Sequence, residues 1–87
     1  MNDKQMNFFE RKDVIHHNSK KDLWIIIDNH VFDITNYAHN HPGGINVLLK
    51  YGGKDVTEEF NEIAGHNDSY INSLLDKYCI GKIKKKE

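Results

Sequence analysis

An α+β fold is the architecture this chain predicts, on three observations. Apolar segments rich in strand formers lie toward both ends, at Leu23-Trp24-Ile25-Ile26-Ile27 and at Tyr78-Cys79-Ile80. Between Thr35 and Asp76 the apolar residues recur instead at helical spacing. No strand–helix–strand unit repeats, so helices and strands are segregated rather than wound into a parallel sheet. The 87 residues leave room for one domain, taken as residues 1–87 with a core of about 9–83. So small a domain buries only about 60% of its unfolded surface, and a bound group that adds to the core would stabilise it.

Each element has its own signal. Phe9 and the Val14/Ile15 pair, with charges between them, predict a short strand leading into a helical turn. Asn18 to Asp22 is polar and reads as a loop. Leu23 to Ile27 is long enough for a core strand, and Asp28-Asn29-His30 reads as a tight turn. Val31-Phe32-Asp33-Ile34 then alternates as the return strand of a hairpin. Thr35 is placed to N-cap a short helix running to about Asn40. Ile45, Val47, Leu48 and Leu49 predict a second helix, ended near Gly52-Gly53. A third runs from Asp55 to Ile63, with Val56, Phe60 and Ile63 at helical spacing. Asp68 would cap a fourth, with Ile71, Leu74, Leu75 and Tyr78 on one face. Tyr78-Cys79-Ile80 closes the chain as a strand, with Gly81 as a break.

Composition narrows the function. The net charge of −1 has no basic bias that points to nucleic acid. A single cysteine, Cys79, rules out an internal disulfide and fits a reducing compartment. No apolar run approaches the roughly 18–20 residues of a membrane span. The expectation is a soluble, cytoplasmic, free-standing monomer without stable membrane insertion.

Two histidines carry the chemistry. His41-Pro42-Gly43-Gly44 holds an imidazole on a turn made of one stiff residue and two permissive ones. Glycine lets a flat ligand lie close to the backbone there. A second imidazole, His66, arrives from elsewhere in a chain rich in aliphatic and aromatic residues. Two imidazoles across an apolar slot are what a haem iron with two protein ligands requires. No Cys-x-x-Cys-His is present, so such a haem would be held non-covalently.

The ordered set Trp24, Val31-Phe32-Asp33-Ile34-Thr35, His41-Pro42-Gly43-Gly44, Val47-Leu48, Gly53-Lys54-Asp55-Val56-Thr57, Phe60, Gly65-His66 and Ile80-Gly81 resembles the cytochrome b5 family. The resemblance runs from about Phe9 to Ile83. It implies a small mixed β-sheet with two pairs of short helices forming a haem pocket. It makes His41 and His66 the axial ligands of a haem b. It places Ile27, Ile34, Tyr37, Pro42, Gly43, Val47, Leu48, Phe60, Ile63, Asn67, Leu74 and Tyr78 around the cofactor, and Trp24 in the core away from it. The implied activity is one-electron transfer, without catalytic residues. The implied donor is a flavin-dependent NAD(P)H reductase, and the acceptor an oxidase, desaturase or hydroxylase. Two alternatives come from related branches: a haem-binding regulatory or adaptor module, and the haem domain of a fused oxidoreductase.

The chain also departs from the family pattern. The interval between the two histidines is one residue longer than the commonest spacing, and another extra residue lies between His66 and Gly81. Tyr37 and Tyr78 stand where phenylalanine is more frequent, and Asn67 where serine often holds a haem propionate. Acidic residues that often flank His-Pro-Gly-Gly are replaced by His39, Asn40, Ile45 and Asn46. Acid persists at Asp55, Glu58, Glu59, Glu62 and Asp68, which predicts a lopsided acidic patch. Other readings are weaker. His39, His41, His66 and Cys79 are too dispersed for a compact zinc site. Asn67-Asp68-Ser69 matches a glycosylation sequon that nothing directs to secretion. The Lys84-Lys85-Lys86 run reads as a solvated terminus. His16, His17, His30 and His39 read as surface, loop or helix-end residues.

Overall fold

The computed structural model describes residues 7–40, 44–64 and 76–84, the side chains of Ile63 and Ala64 excepted. In chain order the elements are β1 (Asn7–Phe9), α1 (Arg11–Val14), β2 (Asn18–Ser19), β3 (Asp22–Ile27), β4 (His30–Asp33), α2 (Thr35–His39), α3 (Ile45–Leu49), α4 (Thr57–Ala64) and β5 (Cys79–Ile83). Residues 76–78, just before β5, are helical. The five strands form one sheet in the order β1-β5-β4-β3-β2. β1 runs parallel to β5 and the other neighbours are antiparallel, so the sheet is mixed. An α+β arrangement is what the sequence predicts, and the fold has it.

Local chemistry explains the turns. β3 and β4 pair from Trp24↔Asp33 to Ile27↔His30, leaving Asp28-Asn29 as a two-residue loop. Both have positive φ (51° and 65°), the conformation of a hairpin turn whose twist matches its strands. Aspartate and asparagine tolerate that region better than other non-glycine residues. The supposed loop at Asn18–Asp22 is instead a second hairpin, with Asn18 opposite Leu23 and Ser19 opposite Asp22. Polar side chains hid it, because β2 is a two-residue edge strand exposed along its length.

Two further expectations need correcting. Thr35 is not the N-cap of α2: Ile34 holds that position, without a side-chain capping bond. The Thr35 hydroxyl instead donates to Asp33 Oδ1 at 2.6 Å and accepts the Leu23 backbone N–H at 2.9 Å. Asp33 Oδ1 also accepts the Thr35 N–H. Gly81 is not a break but a buried residue inside β5. A Cβ there would lie 2.5 Å from the Asn7 carbonyl oxygen, so β1 packs against β5 only because the position lacks a side chain. The β4–β5 register steps from Val31↔Gly81 to Phe32↔Cys79, which leaves Ile80 as the extra residue of a bulge.

The sheet buries both faces, so β3 and β4 do not simply alternate apolar and polar. On one face Val14, Ile26 and Val31 form a cluster with Phe9, Trp24, Ile80 and Ile83 packed against it. On the other, Leu23, Ile25, Ile27, Phe32, Ile34, Ala38 and Val56 form the larger cluster, to which α2, α3 and α4 contribute. Trp24 thus lies on the face opposite α2, α3 and α4, on the side of α1. Its ring stacks on His17 at 3.5 Å between centroids and meets Phe9 edge-on at 5.1 Å.

Residues 53–56 tie the helices to the sheet. The Gly53 N–H donates to the Trp24 carbonyl, the Ile26 N–H to Lys54 and the Val56 N–H to Ile26. This makes a parallel bridge between Ile26 and Asp55 along the free edge of β3. α4 therefore begins two residues later than its sequence suggests, at Thr57. Asp55 stays outside the helix and accepts both the N–H and the hydroxyl of Thr57. No helix among the described residues is long and apolar enough to cross a membrane.

Candidate functional site

The helix-covered face of the sheet is the place where the expected pocket residues meet. Ile27 and Ile34, each 4% exposed, lie buried in the larger cluster at its sheet side. Tyr37 from α2, Leu48 from α3, Phe60 from α4 and Tyr78 before β5 are half-buried and pack against that cluster. The rings of Tyr37 and Tyr78 approach to 5.7 Å between centroids. The structure therefore brings six of the expected wall residues to one apolar surface.

α3 differs from its neighbours. Four of its five residues are apolar, yet none is buried. Val47 is 45% exposed and stands outside the cluster. At the head of this helix Gly44 adopts φ 89°, a left-handed backbone that favours glycine, and the space beside its Cα is open. Half-buried apolar side chains beside an open glycine suit a flat apolar ligand.

The segments expected to carry the iron ligands follow α2 and α4 in sequence. His41, Pro42 and Gly43 join α2 to Gly44, and His66 follows α4. These four residues, with Asn67 and Leu74, lie outside the described residues, and so does the Ile63 side chain. The proposed cap at Asp68 and the sequon at Asn67 fall there too.

Electrostatics around the site are uneven. α4 exposes Glu58, Glu59 and Glu62 and has no basic residue. Asp55 belongs to this side in sequence, but its charge is already compensated. Its carboxylate sits 3.1 Å from the Arg11 guanidinium, whose other nitrogen donates to Asn29 Oδ1. Burial pushes the Asp55 carboxyl up, but the Thr57 bonds and Arg11 outweigh this and hold it below the usual carboxylate range. The expected acidic patch is reduced, among the described residues, to the three glutamates of α4. The zinc reading gains no support: the His39 Nε2–H donates to the Lys20 carbonyl, and the Cys79 thiol donates to the Gly81 carbonyl. Among the described residues no three histidine, cysteine or carboxylate side chains gather to hold a metal.

Sequence reasoning missed several residues that shape the surface. Phe32, Ala38 and Val56 are buried within the cluster, and Leu49, Tyr51 and Cys79 pack against it. The alternation of β4 points to Phe32, since it shares a face with Ile34. Val56 carries a helical-period signal with Phe60, but it lies beside the edge bridge rather than in a helix. The His17–Trp24 stack was missed as well. Its second anchor is the His17 Nδ1–H, 2.7 Å from the Asp22 carboxylate.

Comparison with known proteins agrees with this geometry. A family model described as "Cytochrome b5-like Heme/Steroid binding domain" matches residues 10–84. Cytochrome b5 of Drosophila melanogaster is 37% identical over 87 residues, which is 100% of this chain and 63% of that protein. Cytochrome b5 of Rhizopus stolonifer is 45% identical over 75 residues, 86% of this chain and 56% of that protein. The chain thus spans little more than half the length of these relatives. Among solved structures, cytochrome b558 of Ectothiorhodospira vacuolata superposes with a TM-score of 0.76 at 32% identity, covering 90% of this chain and 99% of that one. Cytochrome b5 of Ostreococcus tauri virus 2 gives 0.74 at 32% identity, covering 87% and 95%. The mixed sheet, the helix-lined apolar surface and these likenesses place the chain in the cytochrome b5 family.

Proposed function

We propose that the chain binds one haem b non-covalently between His41 and His66 and carries single electrons from a flavin-dependent NAD(P)H reductase to an acceptor oxidase, desaturase or hydroxylase. The observation that carries this reading is the apolar surface of Tyr37, Leu48, Phe60 and Tyr78 over Ile27 and Ile34, beside a helix that buries none of its own apolar residues. Its chemistry fits a porphyrin face, and the sequence offers His41 and His66 as the two imidazoles. Pro42, Gly43, Val47, Ile63, Asn67 and Leu74 complete the proposed set.

When bound, the haem supplies an iron that cycles between its ferric and ferrous states. The protein side of the mechanism is exclusion and alignment. His41 and His66 would hold the iron and would leave no site on it for oxygen or peroxide, which would confine the chemistry to electron exchange. Hydrophobic walls keep water from the iron and help set its potential. The single cysteine and the polar surface favour a cytoplasmic setting.

An absorption spectrum of the haem-loaded protein tests the reading, oxidised and then dithionite-reduced, with and without carbon monoxide. Sharp low-spin bands that the gas leaves unchanged are expected, and His41→Ala or His66→Ala should abolish them. Gas-sensitive or high-spin bands in the wild type would sink the bis-histidine assignment and favour a sensor or adaptor.

A further inference from the structure

We propose that the surface formed by the β2–β3 hairpin tip, the C-terminal end of α2 and the segment after α3 docks the acidic face of a redox partner protein. This rests on the electron-carrier reading above, but its first test does not need the haem.

These segments are far apart in sequence and adjacent in space. The His39 ring at the end of α2 donates to the Lys20 carbonyl at the hairpin tip. The turn after α3 abuts β2, since a Cβ on Gly52 would lie 3.0 Å from the Asn18 Cα. The surface they form carries exposed Lys20, Lys21, Lys50 and Lys54. No ion pair among the described residues engages any of these lysines. No acidic residue occurs within 18–21, 34–40, 44–49 or 50–54. Asp22, at the border, is held by His17. The opposite lip, α4, carries three exposed glutamates and no base. The net charge of −1 therefore conceals a local separation, with these four lysines on one set of segments and the three glutamates on another.

Position and texture select the partner. α2 and α3 also supply Tyr37 and Leu48, so whatever docks here sits against the proposed haem slot. Between the lysines the exposed side chains are Asn18, Ser19, Asn36, His39, Asn40 and Asn46, with Val47 the one apolar member. Amides and hydroxyls suit the hydrogen-bonded rim of a protein interface. A lipid surface is held instead by inserted apolar and aromatic side chains, which the hairpin tip lacks. The complementary face is anionic at the hairpin and α3 end, with basic groups over α4.

Paramagnetic hexacyanochromate(III) is the first probe, added to the full chain while backbone amide NMR signals are recorded. This anion should selectively broaden Lys20, Lys21, His39 and Lys50. The K20E/K21E/K50E variant should lose that pattern, and the E58Q/E59Q variant should keep it. Broadening that is uniform, or centred on α4, would overturn the proposal. So would lysine-dependent sedimentation with phosphatidylserine vesicles, which would assign the surface to lipid. The second readout uses the reduced, haem-loaded protein, which passes one electron to hexacyanoferrate(III) and yields hexacyanoferrate(II). The triple variant should slow this about tenfold at about 10 mM salt and little at about 1 M. An equal rate at low salt would remove the docking role. Failure to take up haem would instead count against the carrier reading and leave the NMR map standing.

Discussion

Gly53→Ala tests how the helices are fastened to the sheet, and Gly44→Ala is its internal control. Both glycines have positive φ, 76° at Gly53 and 89° at Gly44. An L-residue in that region costs about 1–2 kcal/mol, partly offset by about 0.4–1 kcal/mol through a less flexible unfolded chain. Gly44 has nothing within 4 Å of its would-be Cβ. Its substitution should therefore cost only this difference, about 0–1.6 kcal/mol. At Gly53 the added carbon would lie 2.7 Å from the Ile15 carbonyl oxygen and 3.1 Å from its carbonyl carbon. These are backbone atoms, which cannot rotate aside as a side chain end can. Relieving the overlap adds about 1–3 kcal/mol, for a total of about 1–4.6 kcal/mol. A domain of this length has roughly 4–13 kcal/mol of stability in all. Urea unfolding followed by the fluorescence of Trp24, the single tryptophan, gives both differences. Movement at Gly53 would also strain its bond to the Trp24 carbonyl and the bridge that starts α4. If the two variants lose equal stability, the close approach to Ile15 is not what demands glycine, and this account fails.

Two other substitutions probe single polar contacts. Thr35→Val keeps the shape of the side chain but strips the Leu23 N–H of its acceptor beside a fully buried residue. It should cost about 1–3 kcal/mol in the same unfolding assay, whereas Thr35→Ser should largely restore stability. A neutral valine variant would mean that the hydroxyl contributes only shape. Asp55→Asn addresses the lowered carboxyl. A carboxylate whose folded pKa lies below its unfolded value stabilises above the unfolded value, near about 4, and loses that contribution as pH falls through the folded one. The Asp55 side chain is 38% exposed, so the neutral-pH loss should be only about 0.5 kcal/mol. The gap between variant and wild type should close below about pH 4. A gap of constant size down to about pH 3 would show that charge is not its source.

Much of this protein was legible in the chain because its signals are local. The β3 run, the Asp28-Asn29 turn and the spacing of Val47, Leu48 and Phe60 act through backbone preference and side-chain period, which neighbours in sequence determine. The apolar side chains of Ile27, Ile34, Tyr37, Leu48 and Phe60 that line the candidate slot were legible for the same reason. What the tertiary structure decided depends on groups distant along the chain. Thr35 has the composition of a cap, but Leu23 is twelve residues away and claims its hydroxyl. Gly81 looks like a break until β1 lies against it. Asp55 and Val56 fit a helix by period, yet the free edge of β3 offers their backbone better hydrogen bonds. The division of charge is the clearest instance. Lys20, Lys21, Lys50 and Lys54 are scattered in the sequence and nearly cancelled in its net charge. Only packing of β2 against α2 and the turn after α3 gathers them on one side, because folding fixes which charges share a surface and composition counts only their sum.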